Sequence, residues 1–163
     1  MAALAWKAAY LGWSGLEWSV GIPGSIGGSV VMNAGAHGSE IQDILVQATV
    51  LSPQTGDISR RVVPDLGYSY RTSNLQGSHQ LVTEATFQLQ PGHDPALIQA
   101  QTREHLERRH ATQPYHLPSC GSVFRNPEPQ KAAWLIEQSG LKGRRIGGAE
   151  VAQIACQFHF ESG

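Results

Sequence analysis

The chain has 163 residues, of which 40% are hydrophobic and 18 are glycine, with a formal net charge of −1. That length suits one ordinary domain or two small ones, the scattered and balanced charge lacks the electrostatic footprint of a nucleic-acid binder, and no apolar run approaches the roughly 18 residues of a membrane span. Residues 1–10 have no signal-peptide architecture, so a cytoplasmic protein is expected. Cys120 and Cys156 lie in no metal-ligand spacing and the seven histidines form no ligand set, so no metal is expected.

In chain order, residues 4–11 have the apolar spacing of a helix end, with Gly12 where a C-cap glycine belongs. Residues 21–38 follow as a glycine-rich stretch in which Gly21, Gly24, Gly27, Gly28, Gly35 and Gly38 predict tight turns and close approach to something bulky. Residues 47–51 and 58–63 are β-rich runs joined by Ser-Pro-Gln-Thr-Gly-Asp, which predicts an antiparallel hairpin. Residues 81–89 alternate, which predicts a half-buried strand with Leu81, Thr83, Ala85, Phe87 and Leu89 on one face. Asp94 and Pro95 read as an N-cap and first-turn proline for a helix to about Arg109, in which Arg103, Arg108 and Arg109 alternate with Glu104 and Glu107 as on a solvated face. A second helix is expected over residues 130–138, ended by Gly140.

Four segments could carry chemistry. The glycine-rich stretch 21–38 is neither a P-loop nor a dinucleotide fingerprint. Gly67-Tyr-Ser-Tyr-Arg-Thr-Ser73 offers, in Arg71, a planar charged donor fork suited to a carboxylate or phosphate. Ser119-Cys-Gly-Ser-Val-Phe-Arg-Asn-Pro127 places Ser122 behind a glycine, where its hydroxyl can meet a ligand closely, without a hydrolase elbow. Gly140-Leu-Lys-Gly-Arg-Arg-Ile-Gly-Gly-Ala-Glu150 mixes turns with three cations, as a sugar nucleotide would need. Taken singly, each has an ordinary alternative: turns, a surface salt bridge, a packed cysteine or a polar loop.

In order and spacing, these motifs resemble the MurB family of UDP-N-acetylenolpyruvoylglucosamine reductases. The matching blocks are Gly15-Leu-Glu-Trp, Gly21-Ile-Pro-Gly-Ser-Ile-Gly-Gly, Met32-Asn-Ala-Gly-Ala-His-Gly, Tyr68-Ser-Tyr-Arg, Ala111-Thr-Gln-Pro, Cys120-Gly-Ser-Val-Phe-Arg-Asn-Pro, Leu135-Ile-Glu and Gly140-Leu-Lys-Gly with Ile146-Gly-Gly-Ala. The resemblance implies an α+β fold, with residues 1–91 part of a PCMH/VAO-like FAD-binding domain and residues 92–154 part of the MurB C-terminal substrate-binding domain. It implies hydride transfer from NADPH through FAD to C3 of the enolpyruvyl group of UDP-N-acetylglucosamine enolpyruvate, with a proton completing C2. Arg71 matches the arginine that faces the developing enolate and Ser122 the serine that gives the proton. Gly21, Ile22, Pro23, Gly24, Ser25, Gly27, Gly28, Asn33 and Gly35 would border FAD, and Tyr70, Arg125, Asn126 and Lys142 the substrate.

Two departures accompany the resemblance. The family's Gly-Gly-Gly-Ser-Asn-type pyrophosphate loop and its C-terminal catalytic glutamate have no counterpart here, so an internal fragment is expected, with an inactive remnant, another FAD oxidoreductase or a sugar-nucleotide binding module as alternatives. After Val151 the family's Ser-x-x-His-Ala-Asn-Phe is replaced by Ala152-Gln-Ile-Ala-Cys-Gln-Phe. One inserted base after Ile154 accounts for the change, so residues 155–163 are expected to be read out of frame. The family's substrate-tyrosine insertion is also missing, as in its shorter subgroup.

Overall fold

The computed structural model describes residues 1–113, 119–153 and 158–160. The chain falls into two compact units, Met1–Leu106 and Glu107–Gly163. The first opens with helix α1 (Ala2–Tyr10), which buries the small side chains of Ala5, Ala8 and Ala9. Gly12, at φ 67°, ends it: Gly12 N–H donates to the Ala9 carbonyl at 3.1 Å and Trp13 N–H to that of Ala8 at 2.9 Å. This is the paired termination that a left-handed glycine allows.

The expected hairpin forms as strands β3 (Leu45–Leu51) and β4 (Ile58–Val62), in register from Gln47 opposite Val62 to Leu51 opposite Ile58. Strand β5 (Leu81–Phe87) adds to the other edge of β3, giving an antiparallel sheet of order β4-β3-β5. Its face differs from the alternation in the sequence. Thr49 opposes Glu84 but Val50 opposes Val82, so Thr83 is an extra residue and the pairing bulges. The bulge brings Val82 into phase with Ala85, Phe87 and Leu89 against the core and leaves Leu81 55% exposed. The core beneath is built from Leu16, Val20, Val30, Ile41, Val50 and Leu66.

Helix α3 (Pro95–Thr112) begins where Asp94 and Pro95 predict: Asp94 Oδ1 accepts from Ala96 N–H at 2.9 Å. Only Ile98 and Thr102 are buried along it, in keeping with its charged composition. The division between the units falls inside α3, whereas the resemblance implies a domain boundary after residue 91.

The second unit holds strands β6 (Ser119–Gly121), β7 (Arg145–Ile146), β8 (Ala149–Val151) and β9 (Phe158–Phe160) in an antiparallel sheet of order β6-β9-β8-β7. Helix α4 (Ala132–Gln138) starts two residues later than the sequence suggests, where Asn126 Oδ1 accepts from Ala132 N–H at 3.1 Å. Gly140, at φ 65°, ends it as expected. Segregated helices and antiparallel strands make an α+β protein. Of the segment expected to be out of frame, only Phe158–Phe160 belongs to the described residues. Pro114 of the Ala111-Thr-Gln-Pro block and Cys156 lie outside them. Among the described residues, no helix is long and apolar enough to cross a membrane.

Candidate active site

The glycine-rich stretch is not all loop. Residues 26–31 form helix α2 (Ile26–Val31), capped by Ser25, whose Oγ accepts from Gly28 N–H at 3.0 Å. Two glycines in a helix are unfavourable on propensity, and Gly27 has a packing reason: a Cβ there would stand 3.0 Å from the Val82 carbonyl oxygen of β5. Ahead of α2, Pro23, Gly24 and Ser25 are exposed, and nothing lies within 4 Å of where a Gly24 side chain would begin. Beyond α2, strands β1 (Gly35–Ala36) and β2 (Ser39–Glu40) make a two-residue hairpin. Its corner residues His37 and Gly38 are at φ 54° and 85°, the left-handed pair such turns require.

Segment 68–76 docks on the end of α2, where helix carbonyls lack partners within the helix. Tyr68 Oη donates to the Val30 carbonyl at 2.9 Å, and Ser73 Oγ and Gln76 Nε2 donate to that of Val31 at 2.6 and 3.4 Å. Burial pushes the Tyr68 phenol well above its ordinary range. Within this segment, Ser69 and Thr72 exchange backbone hydrogen bonds at 3.1 and 3.0 Å, closing a tight turn with Tyr70 and Arg71 at its tip.

At that tip Arg71 adopts φ 54°, an uncommon conformation for a residue with a side chain. Its guanidinium turns back to the glycine-rich segment. Nη1 donates to the Asn33 carbonyl at 3.3 Å and Nη2 to the Gly35 carbonyl. The guanidinium carbon stands 5.0 Å from the centre of the Tyr70 ring, and Glu40 Oε2 lies 3.9 Å from Nη1. The side chain stays 28% exposed. An arginine has five N–H donors in a fixed fork, so two backbone carbonyls orient it and still leave donors for a planar anion. Glu40 was not evident from sequence; the signal is its position directly opposite Gly35 in the hairpin, where a missing side chain makes room for it.

Of the residues expected to border FAD, the first unit thus brings Asn33 and Gly35 against Arg71. Asn33, expected to border FAD, is buried. Its side chain is fully buried, Nδ2 donating to the Ser69 carbonyl at 3.2 Å and Oδ1 accepting from Gln42 N–H at 3.0 Å. The amide is therefore engaged by protein, and so is the main chain, whose N–H donates to the Val30 carbonyl and whose carbonyl accepts from Arg71 Nη1.

The second unit gathers a second set. Ser122 follows β6 directly and is exposed. Beside it, Phe124, Arg125, Asn126, Leu135 and Ile136 line an open, mostly apolar cavity of about 390 Å³. Lys142 stands apart from that lining, its Nζ paired with Glu137 Oε1 at 2.7 Å, and Arg145 pairs with Glu150. No group of three His, Cys, Asp or Glu side chains that could hold a metal ion occurs among the described residues.

Comparison with known proteins identifies the two parts of the chain by family. A family model described as an FAD binding domain matches residues 1–60, and the model for the C-terminal domain of UDP-N-acetylenolpyruvoylglucosamine reductase matches residues 113–163. The reductase of that name from Trichormus variabilis is 65% identical over 156 residues, 96% of this chain and 47% of the relative; that of Nostoc punctiforme is 62% identical over the same span. The chain spans about half the length of the curated relatives it matches. The crystal structure of the UDP-N-acetylenolpyruvylglucosamine reductase MurB from Thermus caldophilus superposes with a TM-score of 0.84 at 32% identity, covering 97% of this chain and 57% of that one. Two domain types in the family's order, with relatives of one name along nearly the whole sequence, settle the assignment: the chain belongs to the MurB family of UDP-N-acetylenolpyruvoylglucosamine reductases.

Proposed function

We propose that this chain supplies the flavin-bordering and substrate-carboxylate parts of an FAD-dependent reductase. That enzyme uses NADPH to reduce the enolpyruvyl group of UDP-N-acetylglucosamine enolpyruvate, a cytoplasmic step in making peptidoglycan precursors. The observation that carries the reading is the Arg71 guanidinium, oriented by the carbonyls of Asn33 and Gly35 at the rim of the glycine-rich segment.

The residues present suit a large planar cofactor. Pro23, Gly24 and Ser25 offer exposed backbone without bulky side chains, and Gly24 has open space where a side chain would stand. FAD, when bound along that backbone, would supply hydride chemistry, passing hydride from NADPH to C3.

Hydride arrival at C3 leaves an electron pair on C2 conjugated with the carboxylate. Arg71 meets that charge with donors already fixed before the reaction, so little reorganisation is needed as the charge develops. Tyr70, stacked on Arg71, borders the same anion. Ser122 gives its hydroxyl proton to C2, a transfer that is favourable toward a carbanion-like centre. Arg125 and Asn126, on the cavity of the second unit, and Lys142 bind the uridine diphosphate part of the substrate.

The test is a hybrid in which this chain replaces the matching 156 residues of the Trichormus variabilis reductase. NADPH oxidation should require the enolpyruvyl substrate, and Arg71→Ala should slow it by roughly 10²–10³, the usual effect of losing a charge-stabilising donor. Oxidation that ignores the substrate, or that survives Arg71→Ala unchanged, contradicts the reading.

A further inference from the structure

We propose that Asn33 is a positioning residue for Arg71, fixing both the turn that presents the arginine and the direction of its guanidinium. This rests on the reading of Arg71 as the carboxylate-binding group, and it gives the Asn33 side chain a task other than touching the cofactor.

Three observations converge. First, the carbonyl of Ser69 that accepts from Thr72 N–H, closing the Tyr70–Arg71 turn, also accepts from Asn33 Nδ2 at 3.2 Å. The side chain therefore fastens the base of the turn from 36 positions away in sequence. Second, the Asn33 main-chain carbonyl accepts from Arg71 Nη1, so one residue holds the turn at its base and the side chain at its tip. Third, Asn33 is itself pinned: its Oδ1 accepts from Gln42 N–H, its side chain is fully buried, and its N–H donates to the Val30 carbonyl at 3.3 Å.

The residue type follows from this geometry. Asn33 sits at φ 43°, in the left-handed region where asparagine is among the few side chains tolerated. The side chain must be donor at one end and acceptor at the other. Glycine tolerates the backbone but supplies neither bond. Aspartate tolerates the backbone and keeps the acceptor for Gln42, yet turns an oxygen toward the Ser69 carbonyl. A buried amide with both ends matched is costly to disturb, so the arrangement keeps the Arg71 turn in one conformation.

The experiment uses the ¹⁵N-labelled 163-residue chain and follows the Arg71 side-chain Nε–H by NMR, with the backbone amides of β3 as the control for folding. In Asn33→Gly and Asn33→Asp, solvent exchange of that side-chain N–H should quicken at least tenfold and its resonance should move, while the β3 amides keep their protection. An unchanged Arg71 signal in a folded Asn33→Gly protein overturns the proposal. So does loss of the whole fold in both variants, which would make Asn33 a general stabiliser.

A second arm separates this proposal from the function it rests on. In the hybrid reductase, Asn33→Asp should raise KM for the enolpyruvyl substrate about tenfold without loosening FAD. Its effect should also be non-additive with that of Arg71→Lys, as for groups acting through one another. If the NMR result holds and this one does not, Asn33 still positions Arg71 and the assignment of Arg71 to the substrate carboxylate fails. Equal weakening of FAD binding and substrate turnover would return Asn33 to the cofactor and overturn the proposal.

Discussion

Gly35 and Arg71 fit each other through the absence of a side chain: the Gly35 carbonyl accepts from the guanidinium, and a Cβ at residue 35 would stand 3.0 Å from Arg71 Nη1. The same Cβ would meet the Ser39 carbonyl oxygen at 2.5 Å and Glu40 Cβ at 2.7 Å, both on the paired strand. A backbone carbonyl in a two-residue hairpin cannot swing aside as a side chain can. Gly35→Ala should therefore lower stability by about 1–3 kcal/mol, the usual cost of overpacking, measured by chemical denaturation. A loss within about 0.5 kcal/mol, typical of indifferent surface changes, would show that the hairpin yields.

Glu40 is the counter-charge of Arg71, at 3.9 Å with both side chains about a quarter exposed. Removing its charge should cost little stability, because pairs this open are worth about 0.2–1 kcal/mol. It should also free Arg71 for an anion. Glu40→Gln is expected to tighten binding of the anionic substrate by roughly two- to fivefold, the same energy read as affinity. Weaker binding, measured by titration calorimetry on the hybrid reductase, would mean that Glu40 holds Arg71 in place rather than competing for it.

Tyr68 gives a pH dependence with a definite sign. Burial raises its folded value above the ordinary value of about 10, so the folded state keeps the phenolic proton while the unfolded chain loses it. The stability this represents is complete below about pH 10 and is lost as pH rises toward the folded value. Tyr68→Phe should remove part of the alkaline fall in melting temperature. At neutral pH it should cost about 0.5–1.5 kcal/mol for the lost bond to the Val30 carbonyl. An alkaline slope identical to that of the unmodified chain would show that the phenol ionises as freely folded as unfolded.

Ser25 caps the short helix α2 through Gly28 N–H. With glycines at 27 and 28, α2 has little helical propensity of its own, so the cap matters. Ser25→Ala should destabilise the first unit by about 1 kcal/mol, and Ser25→Asp should recover most of it. Failure of Asp to rescue in thermal unfolding would mean that the hydroxyl is not acting as a cap.

Local chemistry was legible in the sequence and long-range chemistry was not. The Pro and Gly of residues 52–57 announce the β3–β4 hairpin, and Asp94 with Pro95 announces α3, because each signal lies within a few residues of the bonds it makes. The alternation of residues 81–89 misplaces Leu81 and Val82, since the bulge at Thr83 is set by pairing with β3 rather than by β5 alone. Glycine density suggests turns throughout residues 21–38, but Gly27 lies in helix α2 and lacks a side chain where the Val82 carbonyl of β5 leaves little room for one. Arg71 stands out as a charged fork between polar residues; the carbonyls that aim it, and the Asn33 amide that fastens its turn, lie more than thirty positions upstream and emerge only when the chain has folded.

The most direct measurement separates the two half-reactions of the hybrid reductase by stopped-flow absorbance in the Ser122→Ala variant. If Ser122 delivers the proton to C2, reduction of the flavin by NADPH keeps its rate, while reoxidation by the enolpyruvyl substrate slows by roughly 10²–10⁴, the range of a lost general acid. Equal slowing of both steps, or no slowing of the second, would contradict the account.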